Sequence, residues 1–199
     1  MIVLNLTGSI AMGKTTAATQ LRALGVSVYD ADQAVHRLLA KGGPAVPKIA
    51  QAFPGVVFDG DVDRARLGAR VFDDDAELRR LEAILHPMVR QEKIRFLQQA
   101  RRRRHHMVAL DIPLLFETGG RLRRSKSRPI IVVSCPAFLQ ELRVMARPGM
   151  TRGKLKAIRE RQMADWKKRR HADFVVPTGL NLRVSLRKLS QIVRRLRNA

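Results

Sequence analysis

The chain has 199 residues, 45% of them hydrophobic, and a single cysteine, Cys135, so it can bury a core, is too apolar to be a disordered tail and cannot form an internal disulfide. No apolar run approaches the roughly 18 residues of a membrane span, and the short apolar start lacks the basic flank and cleavage site of a secretory signal, so a cytoplasmic protein is expected. Lys and Arg outnumber Asp and Glu by 39 to 17, and residues 121–199 hold 22 against 4; that half should attract polyanions, which names no reaction.

Residues 2–6 read as a short buried strand. It runs into Gly8-Ser9-Ile10-Ala11-Met12-Gly13-Lys14-Thr15-Thr16, which satisfies the phosphate-loop pattern with a strand before it and a helix after it. The glycines let the backbone approach an anion, and loop amides with the positive end of the next helix can cradle a phosphate. Lys14 can then bridge the terminal phosphates, and the Thr15 hydroxyl can ligate Mg²⁺. An ordinary glycine-rich turn is the bland alternative. From Thr15 the spacing of Ala18, Leu21 and Leu24 predicts a helix ended by Gly25, and 26–29 predicts a second strand. Strand, helix and strand in so short a span make the βαβ unit of a parallel sheet. The second strand stops at Asp30-Ala31-Asp32. At that sheet edge Asp32 could take a proton from an acceptor hydroxyl, or it could simply cap the following helix.

Residues 33–40 read as a helix broken by GGPAVP at 42–47. From 63 to 101 the apolar period is helical, and Pro87 is expected to divide the stretch into two helices. Residues 107–111 form a strand ending in Asp111, the usual station for an acid that orients Mg²⁺. The apolar Pro113, Leu114, Leu115 and Phe116 beyond it are a substrate wall or core. A strand at 129–134 precedes helices at 137–147 and 152–170, joined by Pro148-Gly149. Arg143 and Arg147 fall on one face of the first, as closers of a phosphoryl site or as a solvated face. A strand at 174–176 and a helix at 180–197 complete the chain. The five histidines show no zinc spacing.

The ordered series resembles the dephospho-CoA kinase family. The resemblance rests on LTGSIAMGKTT, on DAD at 30–32 with Val35, on DRARLGARVF at 63–72, on LEAILHP at 81–87 and on DIPLLFETG at 111–119. It continues in Gln140 with Arg143, RPGMT at 147–151, Gln162-Met163 and ADFVVPTG at 172–179, and so covers residues 2–179. It implies one P-loop kinase domain over 1–199: an α/β fold with a five-stranded parallel sheet flanked by helices. It implies, too, a helical substrate (CoA) region at about 60–105 and a lid at about 143–170. The implied reaction is ATP- and Mg²⁺-dependent phosphorylation of the ribose 3′-hydroxyl of dephospho-CoA. Lys14, Asp32 and Arg143 would be catalytic. Residues 8–16 and Arg147 would bind ATP; Asp32, His86, Pro113 and Leu114 would hold the acceptor; and Thr15 and Asp111 would serve the metal. Ala11 departs from the family's usual third loop glycine, and the run Arg123-Arg124-Ser125-Lys126-Ser127-Arg128-Pro129 stands where the family usually has an aspartate just before the strand at 130.

Three other readings compete. Another small-molecule P-loop kinase is opposed by the HP and DIPLLFE segments. A nucleic-acid-associated ATPase is suggested by the basic half, but no RNA-binding motif accompanies it. An inactive kinase fold is motivated by Ala11 and the altered rim. Weak, nonspecific polyanion binding is expected alongside any of them.

Overall fold

The computed structural model describes residues 1–72, 74–117 and 127–198. In chain order the elements are β1 (Ile2–Thr7), α1 (Lys14–Ala23), β2 (Ser27–Asp30), α2 (Ala31–Leu39), α3 (Val46–Ala52), β3 (Val57–Phe58), β4 (Asp61–Val62), α4 (Arg64–Phe72) and α5 (Asp75–Arg102). They continue with β5 (Met107–Asp111), β6 (Ile130–Ser134), α6 (Ala137–Met145), α7 (Arg152–Arg161), α8 (Asp165–His171), β7 (Phe174–Pro177) and α9 (Leu182–Arg197). The chain divides into two compact units, Met1–Tyr29 with Ala100–Ala199, and Asp30–Gln99.

The first unit is built on a five-stranded sheet in the order β2-β5-β1-β6-β7. β1 pairs in parallel with β5 and β6, and β6 with β7. β5 and β6 are buried along their whole length, which is why they read as unbroken apolar runs rather than alternating ones. Leu4, Leu6, Ile131 and Val133 pack with Ala17, Ala18 and Leu21 of α1 and Leu189, Ile192 and Val193 of α9. Leu115, Ile130 and Val132 form a separate apolar cluster with Ile112, Phe116 and Ala172. The register sets Leu6 between Asp111 and Ile131, so β1 and β5 finish within one residue of each other and β6 runs two residues further, to Ser134, at the same carboxyl edge. That edge is where ligands bind in open α/β sheets.

The second unit is helical apart from the β3–β4 hairpin. Its core gathers Leu38, Ile49, Phe53, Val62, Leu67, Val71 and Leu85. α3 and the hairpin escape a sequence reading because each is too short to show a period.

Two helix expectations are corrected. Pro87 does not divide 63–101; it lies inside α5, and the break falls at Asp74, whose carboxylate accepts from the Ala76 and Glu77 amides. A mid-helix proline costs about 3 kcal/mol. Leu78, Leu81, Ile84, Leu85, Met88 and Val89 of the same helix pack on the core, at up to about 1.5–3 kcal/mol per fully buried side chain, and outweigh it. The stretch 152–170 is two helices instead of one, interrupted at Gln162-Met163-Ala164. The Met163 amide leaves the helical ladder to donate to Glu117 Oε1 at 2.9 Å. Among the described residues no helix is long and apolar enough to cross a membrane.

Candidate active site

The loop after β1 is shaped by what surrounds it. A side chain at Gly8 would collide with Val133, so only a hydrogen fits there. Gly13 is left-handed at φ 86°, and a Cβ there would lie 3.0 Å from that of Thr178. Thr178 is buried, and its hydroxyl donates to the Met12 carbonyl at 2.6 Å. Met12 is itself buried, its sulfur accepting from the Cys135 amide at 3.2 Å. Ala11 also has positive φ, 57°. An alanine is unstrained only at negative φ, so the positive value places about 1–2 kcal/mol of strain in the loop.

Behind this loop α1 starts with neither a side-chain cap nor an acid in its first turn. Its opening amides and dipole are thus available to an anion. Thr15 and Thr16 are exposed there. Lys14 Nζ donates to Asp111 Oδ1 at 2.7 Å, and Asp111 is 1% exposed. The pair follows from the register: Leu6 faces Asp111, and Lys14 opens the helix after the loop.

Arg143 is half-buried and not on a solvated face. Its Nη2 donates to the Thr178 carbonyl at 2.7 Å, and Nη1 lies 3.5 Å from the Ala11 carbonyl. Arg147, expected on the same helical face, lies exposed beyond the end of α6. Pro113 gives its carbonyl to the Thr7 hydroxyl at 3.1 Å, and Leu114 is 42% exposed. Leu115 and Phe116 beside them join core packing, so the segment is partly core, with Leu114 left at the surface.

Asp32 and His86 belong to the second unit. The capping role considered for Asp32 falls to Asp30, whose carboxylate accepts from the Gln33 amide at 3.0 Å. Asp32 is thereby left exposed in the first turn of α2, and His86 is exposed on α5. Of the altered basic rim, residues 123–126 lie outside the described residues.

Several contributors were not singled out from sequence for a role. Gln140, 4% exposed, donates from Nε2 to the Ile10 carbonyl at 2.9 Å. The Ile10 amide donates to Gln162 Oε1 at 3.1 Å. Lys168 is fully buried with its Nζ 2.8 Å from Glu117 Oε1. That contact is an ion pair and not an aligned hydrogen bond: Lys168 Nζ, Glu117 Oε2 and Asp165 Oδ1 are buried without hydrogen-bond partners among the described residues. Burial pushes the Glu117 carboxyl up, but the Lys168 ammonium and the Met163 amide outweigh it and hold it below its ordinary value. Burial likewise pushes the Cys135 thiol up, with Arg143 opposing and Asp165 adding, which keeps it protonated and unreactive.

A hard-oxygen set suits Mg²⁺: the exposed Thr15 hydroxyl and the Asp111 carboxylate fit it, with nucleotide phosphates supplying further ligands. Among the described residues no group of three or more His, Cys, Asp or Glu could hold a metal unaided.

A family model described as dephospho-CoA kinase matches residues 2–182. The chain belongs to the dephospho-CoA kinase family. A dephospho-CoA kinase of Mesorhizobium japonicum is 52% identical over 197 residues, covering 99% of this chain and 98% of its own. One of Paramagnetospirillum magneticum is 59% identical over 169 residues, 85% of this chain and 78% of its own. Among solved structures, a Thermus thermophilus protein superposes with a TM-score of 0.82 at 32% identity, covering 98% of this chain and 96% of its own. The dephospho-CoA kinase of Campylobacter jejuni, at 24% identity and TM-score 0.66, covers 99% and 98% and shares the fold. The expected α/β kinase fold with its five-stranded parallel sheet is therefore the fold observed.

Proposed function

We propose that the chain transfers the terminal phosphoryl group of ATP to the ribose 3′-hydroxyl of dephospho-CoA, giving CoA and ADP, the final step of coenzyme A synthesis. The observation that carries this reading is the loop at 8–16 with Lys14 set on Asp111, in a member of this family. The loop amides and the start of α1 take the β-phosphate. Lys14 turns from Asp111 to the migrating phosphoryl group, and Arg143 neutralises charge that builds there. Bound Mg²⁺ would be held by Thr15 and, through water, by Asp111, and would neutralise the β- and γ-phosphate oxygens.

Asp32 accepts the proton of the attacking hydroxyl. An exposed carboxylate that does not serve as the helix cap is suited to that task. His86, Pro113 and Leu114 hold the acceptor, and Arg147 holds nucleotide. The region about 60–105 binds the CoA moiety, and about 143–170 acts as a lid that excludes water from the phosphoryl group. The enzyme works in the cytoplasm, and its basic half attracts other polyanions weakly and nonspecifically.

A coupled ADP-release assay with ATP, Mg²⁺ and a panel of acceptors tests the reading. Turnover with dephospho-CoA is expected. Turnover with a nucleoside and none with dephospho-CoA would overturn it.

A further inference from the structure

Residue Ile10 is gripped at both of its backbone polar groups by side chains distant in sequence. Its amide donates to Gln162 Oε1 at 3.1 Å, and its carbonyl accepts from Gln140 Nε2 at 2.9 Å. Gln140 is in turn oriented from α7: its Oε1 accepts from Arg159 Nε at 3.2 Å and Nη2 at 2.8 Å. A primary amide held at both ends cannot flip, so its NH₂ stays aimed at Ile10. Gln162 sits at the α7–α8 break, and the next amide, Met163, is pinned by Glu117. The residue directly after Ile10 is Ala11, in the left-handed conformation at φ 57°.

These observations share one physical cause. A left-handed alanine persists only where its surroundings over-determine it. Fixing both polar groups of Ile10 fixes the peptide that enters Ala11, and the Met12 amide, which donates to the Ser9 carbonyl at 3.2 Å, fixes the peptide that leaves it, so the left-handed conformation is the one that keeps all three hydrogen bonds. We infer that Gln140 and Gln162, with Arg159 as the brace, form a clasp that holds the phosphate loop in its anion-binding shape against the strain at Ala11. They are positioning residues: they act through the Ile10 and Ala11 peptides. Without the clasp Ala11 relaxes to negative φ and the following loop amides turn away from the β-phosphate. The clasp also joins α7 to the loop, so displacement of α7 loosens the nucleotide site. The inference rests on the reading of residues 8–16 as the ATP site.

The test is a double-mutant cycle with Ala11→Gly, since glycine adopts positive φ without strain and removes the need for the clasp. Binding of a nonhydrolysable ATP analogue is measured by calorimetry, and KM for ATP and for acceptor by steady-state kinetics. Gln162→Met is expected to weaken analogue binding and raise KM for ATP by roughly tenfold, the order of the backbone strain released when Ala11 relaxes, with KM for the acceptor unchanged. In the Ala11→Gly background the same substitution is expected to cost less than about twofold, because the strain that it exposes is gone. Gln140→Met should follow the same pattern, which covers the case in which one variant folds poorly. Equal losses in the alanine and glycine backgrounds, or no loss in either, would overturn the clasp. Wild type that binds no ATP analogue would overturn the ATP-site reading itself.

Discussion

Lys14 Nζ lies 2.7 Å from Asp111 Oδ1, with the aspartate side chain 2% exposed and the lysine 16%. Lys14 thus helps neutralise a buried carboxylate, and in the proposed function it is the cation that the nucleotide recruits. Lys14→Ala is expected to cut turnover by about 10²–10³, as loss of one placed electrostatic donor does. It should also lower the thermal midpoint of the protein, because it removes a charge that compensates the buried Asp111 carboxylate. Lys14→Ala combined with Asp111→Asn should regain part of that midpoint while staying inactive. Melting curves and ADP release check both halves; an unchanged midpoint in Lys14→Ala would mean the pair does not form in solution.

Asp30 and Asp32 should separate cleanly. Asp30→Ala removes the α2 cap and is expected to cost about 1 kcal/mol of stability. Asp32→Asn should leave the midpoint nearly unchanged and ATP binding intact while abolishing transfer, since the amide cannot accept the hydroxyl proton. Denaturant titration beside single-turnover kinetics distinguishes them. Normal turnover in Asp32→Asn would remove Asp32 from the chemistry.

Arg143 bridges α6 to the carbonyl of Thr178, which brings its guanidinium to the loop. Arg143→Lys is expected to lower kcat by about 10²-fold with KM for ATP changed far less, because a point charge cannot hold the Thr178 carbonyl and meet the phosphoryl group as a planar fork does. A variant that raises only KM would place Arg143 in ground-state binding instead.

The Glu117–Lys168 pair sets a pH dependence with a definite sign. Glu117 has its carboxyl held below the ordinary value of 4.5, so the folded state favours the ionised form. Its contribution is complete above that value and is lost as pH falls from about 4.5 through the lower folded value. The double variant Glu117→Gln with Lys168→Met should therefore show a shallower loss of stability below pH 4.5 than wild type. Chemical denaturation from pH 3 to 6 measures the difference; parallel curves would show that the pair carries no linked proton.

What the sequence determined by itself was local. The strand before Gly8, the Lys14-Thr15 pair and the strand ending at Asp111 were legible because a glycine-rich turn and an unbroken apolar run each follow from a few neighbouring residues. The family was legible for the same reason, since its motifs are short and ordered. Only the tertiary structure decided which aspartate caps α2, that α5 runs through Pro87, that α7 and α8 part at Gln162, and that Ala11 stands at positive φ. Gln162 meets Ile10 across 152 positions and Gln140 meets it across 130. No local propensity encodes such meetings. They exist because β1, β6 and α6–α8 converge at one end of the sheet, where a polar backbone group withdrawn from water must find whatever partner the packing brings to it.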